Sequence, residues 1–260
     1  MYLIYIISFI LGLIIGSFLN VVIFRLKVQK DTGKTSINLK GRSKCPHCGK
    51  KLDFFELIPI FSYLFLKGKC SSCKKHISYQ YPLVEFVSGL VTFLTIYYFG
   101  IFNLNGYFLL IISYILIVIF FYDLRRMIIP DVLVAIFFVL AIILDIIMLT
   151  RGEIQILDLF WGMLIGGGFF LVIVLISKEK WMGWGDVKLG FALGVFMLFP
   201  KIIVAYVLAF VIGAIISLIL LGLKEKELSD AVPFAPFLIV GAFLALYWGQ
   251  NIIEWYLRGF

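Results

Sequence analysis

Apolar residues come in long unbroken runs along this chain, at about 2–24, 82–102, 107–122, 130–150, 157–177, 187–199, 201–222 and 232–250. A backbone in lipid must satisfy its own N–H and C=O groups, so each run is predicted to be a helix. The expected fold is an all-α polytopic integral membrane protein with about eight transmembrane helices. One run is short: 187–199 falls below the roughly 20 residues of a full span, and Pro200 with Lys201 parts it from the next. This pair is read as a half-helix followed by a long helix. The pattern breaks once, over 25–81, where polar residues dominate. The predicted division is a first transmembrane helix 1–24, a polar loop domain 25–81 and a multi-helix membrane core 82–260. The first run has neither a basic start nor a small-residue cleavage pattern, and it reads as a retained helix rather than a signal peptide. Gly12, Gly16 and Ser17 would let another helix approach closely, and Asn20 needs a polar partner.

With 63% hydrophobic and 15% charged residues in 260, a water-soluble domain and a single-pass anchor are both excluded. The chain carries 23 Lys+Arg against 15 Asp+Glu, and thirteen of the basic residues lie in 25–81, facing only Asp31, Asp53 and Glu56. The positive-inside rule then puts that segment in the cytoplasm and the N-terminus outside. By alternation Arg125, Arg126, Lys178, Lys180, Lys188, Lys224 and Lys226 fall inside, and only Arg151, Lys201 and Arg258 outside. Topology and attraction to anionic membrane lipid account for the net charge of +8, and no nucleic-acid partner is needed. Gly166-Gly167-Gly168 sits in an apolar run with no strand before it, which argues against a phosphate-binding loop.

All four cysteines fall in the polar loop, as Cys45-Pro46-His47-Cys48-Gly49 and Cys70-Ser71-Ser72-Cys73, with 21 residues between the inner two. A two-residue gap lets both thiolates of a pair turn toward one ion, and two such pairs complete a tetrahedral structural Zn2+ site. A reducing cytoplasm disfavours disulfides, and a redox dithiol calls for one pair rather than two. A loop this small builds little core, so the metal would supply much of its folding free energy. His47 and His76 are spare donors expected to face solvent.

Asp123 closes the run before Arg125, and Asp186 opens the short one in Gly183-Trp184-Gly185-Asp186. Alternation puts both at the cytoplasmic surface, where two carboxyls from distant stretches can hold a water and act as general base and general acid on a peptide bond. Gly183 and Gly185 lack Cβ atoms and would allow irregular backbone and close approach of a substrate strand. A structural reading stays open: Asp123 as an interfacial acid paired with Arg125 or Arg126, and Asp186 as an N-cap. Asp131 after Pro130 is read as an N-cap, Asp145 and Asp158 as outer interfacial acids, and Lys188 as a headgroup anchor. Glu85 is either a helix-terminus partner or part of a site facing the loop.

Taken in order, Gly16-Ser17-Phe18-Leu19-Asn20 with Arg25, the two Cys pairs, Ile58-Pro59, Gly68-Lys69-Cys70, Tyr81-Pro82-Leu83-Val84-Glu85, Pro130-Asp131 and Gly183-Trp184-Gly185-Asp186-Val187-Lys188 resemble the bifunctional type IV prepilin peptidases of bacterial inner membranes. The resemblance spans nearly the whole chain. It implies an aspartic protease of the GxGD type with Asp123 and Asp186 as its acid pair. It also implies prepilin and pseudopilin substrates cut at the cytoplasmic face, and N-methylation of the new N-terminus from S-adenosylmethionine. Gly68 corresponds to a position this family associates with methyl transfer, with Glu85 beside it as a weaker candidate. Lys27 departs from the pattern, standing where many members have proline. Two other readings are a presenilin-like aspartic protease without methyltransferase activity and an ion-coupled transporter.

Overall fold

The computed structural model describes residues 2–29, 35–223 and 232–259; Asp31, Lys224 and Lys226 lie outside the described residues. Nine α-helices are found among the described residues, and they fall into two compact units, 1–121 and 122–260.

The first unit is built on α1 (Tyr2–Arg25) and α3 (Gln80–Phe99), which pack closely because α1 offers glycine where α3 comes nearest. A Cβ on Gly16 would stand 2.6 Å from the Glu85 Cα, and one on Gly12 would stand 2.7 Å from the Gly89 Cα. The partner required by Asn20 is the Tyr81 carbonyl, which accepts from its Nδ2 at 3.0 Å. One turn on, the Phe24 ring stacks on that of Tyr81 at 4.6 Å. Between these helices runs the polar loop. It opens with a two-stranded antiparallel ladder, β1 (Leu26–Val28) and β2 (Thr35–Ile37), in which Lys27 lies opposite Ser36. The Arg25 guanidinium holds the chain beyond β2 by donating to the carbonyls of Lys40 at 2.9 Å and Gly41 at 3.0 Å. A 3-10 turn at Phe54–Leu57 and the short α2 (Phe61–Phe65) follow. The unit then takes in most of α4 (Leu104–Arg126).

The second unit holds the end of α4 with α5 (Asp131–Thr150), α6 (Ile156–Ser177), α7 (Trp184–Met197), α8 (Lys201–Gly222) and α9 (Ala235–Arg258). The helices α1, α3, α4, α5, α6, α8 and α9 are each long and apolar enough to cross a membrane. All eight apolar runs are therefore helical, but seven are full spans. The eighth, α7, has 14 residues and about 21 Å of rise.

Why α7 is short follows from its register on α6. Gly166 approaches the Gly190 carbonyl, with a Cβ position 2.5 Å from that oxygen. The Gly162 Cβ position lies 2.9 Å from the Leu198 Cα, and the Phe199 N–H donates to the Asp158 carbonyl at 3.1 Å. The two helices thus run antiparallel with their glycines in contact, and α7 reaches the first turn of α6 at one end. Its other end falls short: in this register Asp186 lies beside residues 171–172 of α6, about 8 Å inside the Ser177 terminus. Residues 178–183 return the chain to that depth, with Lys178 and Glu179 left-handed at φ 50° and 65°. Gly166 and Gly167 of the glycine triplet serve this packing. Tyr206 of α8 closes it by donating its hydroxyl to the Gly166 carbonyl at 2.6 Å.

Candidate functional site

In the first unit the four cysteines come from two matching hairpins. Cys45 N–H donates to Lys50 O and Cys70 N–H to Lys75 O, both at 2.9 Å, and a bridge flanks each hairpin, Lys44 opposite Lys51 and Lys69 opposite His76. Gly49 at φ 71° and Lys74 at φ 59° occupy equivalent left-handed corners. The Cys45 and Cys73 sulfurs lie 3.9 Å apart, as do those of Cys48 and Cys70, and all four are within 4.8 Å of one another. Four sulfurs at 2.3 Å from a common tetrahedral centre are separated by about 3.8 Å, so the cluster fits a metal ion. Backbone N–H groups of Cys73 and Ser72 point at the Cys70 sulfur and lower its thiol to about 6. His47 and His76 are exposed and stand outside the four-sulfur cluster.

A second tie joins the hairpins. The Glu56 carboxylate takes hydrogen bonds from the Ser71 hydroxyl, the Asp53 N–H (2.9 Å) and the Lys50 ammonium (3.0 Å), and Lys50 also reaches Ser71 at 2.8 Å. The Ser71 hydrogen bond, then the Asp53 N–H and Lys50, hold Glu56 at about 2 against an ordinary 4.5. A lowered carboxylate stabilises the fold above its unfolded value, and that stability is lost as pH falls toward the folded one. Glu56→Gln is expected to destabilise the loop by about 1–3 kcal/mol at neutral pH. In thermal melts, the gap from wild type should narrow below about pH 4.5; a gap independent of pH would refute the ionised role.

Above the hairpins lies a cavity of about 190 Å³, lined among others by Asn20, Phe24, Tyr63, Tyr81, Glu56 and Glu85. Glu85 is buried against Gly16, and its Oε2 accepts from the Ile60 N–H at 2.8 Å. Ser17 lines the same cavity. Asn20 Oδ1 is buried without a hydrogen-bond partner. Gly68 does not line the cavity but sits behind Tyr63: at φ 68°, a Cβ there would stand 2.8 Å from the Tyr63 hydroxyl, which donates to Ile77 O at 3.2 Å.

In the second unit Asp123 is buried, 4% exposed, in the last turn of α4. The Met127 N–H closes that turn on the Asp123 carbonyl at 2.7 Å, with Met127 left-handed at φ 52°. The chain then runs over the start of α7, where a Cβ on Gly185 would lie 3.2 Å from the Ile129 side chain. Gly183 is the N-cap position of α7 and is exposed and uncrowded. Asp186 follows in the first turn, half-buried, its N–H donating to the Gly183 carbonyl at 3.2 Å. It is therefore not the N-cap. The chain leaving Asp123 thus comes to rest against the residue before Asp186.

Several neighbouring acids take roles other than those expected. Pro130, not Asp131, holds the N-cap position of α5, and Asp131 pairs with Lys188 of α7 at 2.8 Å. Lys188 thus ties the two helix starts instead of standing alone at the headgroups. Asp158 accepts from the Gln155 N–H at 3.1 Å at the head of α6, whereas Asp145 is 2% exposed, buried against protein with Oδ2 lacking a hydrogen-bond partner. Glu56, Tyr63 and Tyr206 were not among the expected site residues. The acid of the loop that stands amid basic residues, Glu56, was the one visible hint.

Residues 10–99 match the family model described as the bacterial peptidase A24 N-terminal domain, and residues 110–218 that of the type IV leader peptidase family. A prepilin leader peptidase/N-methyltransferase of Stutzerimonas stutzeri is 32% identical over 273 residues, covering 96% of this chain and 93% of the relative. Proteins of the same description from Pseudomonas aeruginosa (32% over 269 residues, 96% and 92% covered) and Legionella pneumophila (30% over 277 residues, 97% and 94% covered) are similar to it along nearly their whole lengths. No solved structure matches the chain. Two family models laid end to end over the loop unit and the two-aspartate unit, with relatives aligned throughout, leave one assignment: the chain belongs to the type IV leader peptidase family.

Proposed function

We propose that this chain is an inner-membrane endopeptidase that removes the leader of type IV prepilins and pseudopilins at the cytoplasmic face and then N-methylates the exposed residue. The observation that carries the peptidase reading is the meeting of two acid-bearing stretches in the second unit: the turn that leaves Asp123 at the end of α4 lies with Ile129 against Gly185, next to Asp186. Two paired carboxyls share a proton: the ionised one takes a proton from water as it attacks the scissile carbonyl, and the protonated one donates to the departing amine. Gly183 leaves the approach to Asp186 open, and the Asp131–Lys188 pair holds the helix start in place. The thirteen basic residues of 25–81 support a cytoplasmic loop and an outside N-terminus.

The methyl-transfer reading rests on the cavity above the hairpins. A buried carboxylate, a stacked pair of aromatic rings and an unpartnered amide oxygen offer acceptors and a π face to the cationic sulfonium of S-adenosylmethionine. The residues that would hold the structural metal are Cys45, Cys48, Cys70 and Cys73, and we assign it as zinc because four thiolates in a tetrahedron suit that ion.

The test incubates purified protein with a prepilin and S-adenosylmethionine and weighs the products by mass spectrometry. A mature chain one methyl heavier is expected; an intact precursor would reject the peptidase reading, and a cleaved, unmethylated chain would confine the activity to hydrolysis. Gly68→Ala separates the two activities. Forcing alanine into a left-handed position costs about 1–2 kcal/mol and pushes Tyr63 into the cavity. Methylation should fall at least about tenfold while cleavage stays within about twofold; equal loss of both would refute the separation.

A further inference from the structure

The loop keeps a large apolar surface bare. Phe54 and Phe55 are each 78% exposed, Phe65 84%, Leu64 64% and Phe61 56%, and the turn carrying the first two packs on α2, which carries the rest. Its position along the helices bears on what covers it. The Ile60 N–H bonds Glu85, the sixth residue of α3, and Glu85 packs on Gly16, nine residues before the end of α1. The Glu85 backbone lies about 8 Å inside the start of α3 and Gly16 about 13 Å inside the end of α1, and the Glu85 side chain, leaning toward the start of α3, holds Ile60 beside the ends of helices that are apolar enough to cross a membrane. At the same level Phe18 of α1 and Leu83 and Phe86 of α3 are exposed, as lipid-facing side chains are.

The backbone here asks little of water. Phe61 N–H donates to Pro59 O at 2.6 Å, Ser62 to Ile58 O at 3.1 Å and Leu64 to Ile60 O at 3.0 Å, and Pro59 has no N–H to satisfy. Irregular chain survives beside hydrocarbon only when its polar groups are paired in this way. Exposed Lys51, Lys67 and Lys69 flank the apolar side chains, with Asp53 the one exposed acid among them.

We propose that residues 54–66 form an interfacial anchor, with Phe54, Phe55, Phe61, Leu64 and Phe65 in the headgroup–acyl boundary and Lys51, Lys67 and Lys69 on the phosphates of anionic lipid. The pattern of aromatic and aliphatic side chains edged by lysine is that of a surface lying in the plane of a bilayer. The anchor draws on the loop and helices of the first unit alone and does not depend on the enzymatic reading.

Photo-crosslinking tests it. The full chain, with p-benzoylphenylalanine in place of Phe65 or, separately, Phe55, is reconstituted in nanodiscs of phosphatidylglycerol and phosphatidylethanolamine, irradiated and weighed intact. The same residue at His47, on an exposed hairpin tip, is the reference, and retained metal verifies the fold. Phospholipid adducts at positions 65 and 55 should exceed those at 47 by at least about fivefold. Lipid adducts no more abundant than at 47, or adducts confined to other residues of the chain, would overturn the proposal. Adducts passing from lipid to an added prepilin would also overturn it, assigning the surface to substrate.

Discussion

Asp186→Asn is expected to leave a prepilin full length, with the cleavage rate down by at least about 10³-fold, and Asp123→Asn the same. Asparagine keeps the size and the hydrogen-bonding oxygen of the side chain but cannot take the proton from an attacking water. On the proposed mechanism the two acids act on one proton, so their effects will not add: the double variant should be no slower than the worse single one by more than a small factor. The structural reading makes a different forecast. An acid serving only a helix terminus is worth about 1 kcal/mol of stability, which asparagine largely preserves. Rates measured beside circular dichroism decide between them. Either Asn variant cleaving within about tenfold of wild type, with helices intact, would remove the pair from the chemistry.

Cys70→Ser is expected to release the metal outright, taking bound zinc from about one per chain to none and abolishing methylation. Structural zinc of this kind contributes apparent binding free energies of about 10–16 kcal/mol, far above what a loop this short can recover from packing. The serine hydroxyl is nearly isosteric but does not supply the thiolate the ion needs. Cys45→Ser should behave alike, since the hairpins are equivalent. Elemental analysis and methylation of a pre-cleaved pilin report on the loop, and the helical content of the spans reports on the rest. A Cys70→Ser protein that methylates at the wild-type rate would show that the sulfurs hold nothing the fold requires.

The helices were legible because runs of some 20 apolar residues have few other solutions in lipid, and the sulfur cluster was legible because a Cys-x-x-Cys spacing acts locally. What escaped the sequence depends on register between helices. That α7 starts below the end of α6 follows from Gly162, Gly166, Gly190 and Gly194 meeting face to face, and nothing in 187–199 alone announces that partner. Lys188 reads as a headgroup anchor until α5 is placed beside α7, when Asp131, 57 residues away, takes it. Asp145 reads as interfacial from its distance to the end of its run, yet is 2% exposed, because exposure depends on which face of α5 meets protein. Gly68 is singled out by resemblance; that it lies against the Tyr63 ring is a fact of packing.

The 21 residues between Cys48 and Cys70 form a ring that the sulfur cluster clasps shut. Glu56, Ile60 and Tyr63 are all beads on that ring, and so are the five bare apolar side chains. Opening the clasp at either hairpin slackens the wall of the cavity and the grip on the leaflet in one stroke, so a cell starved of the ion would lose both before any membrane helix came apart.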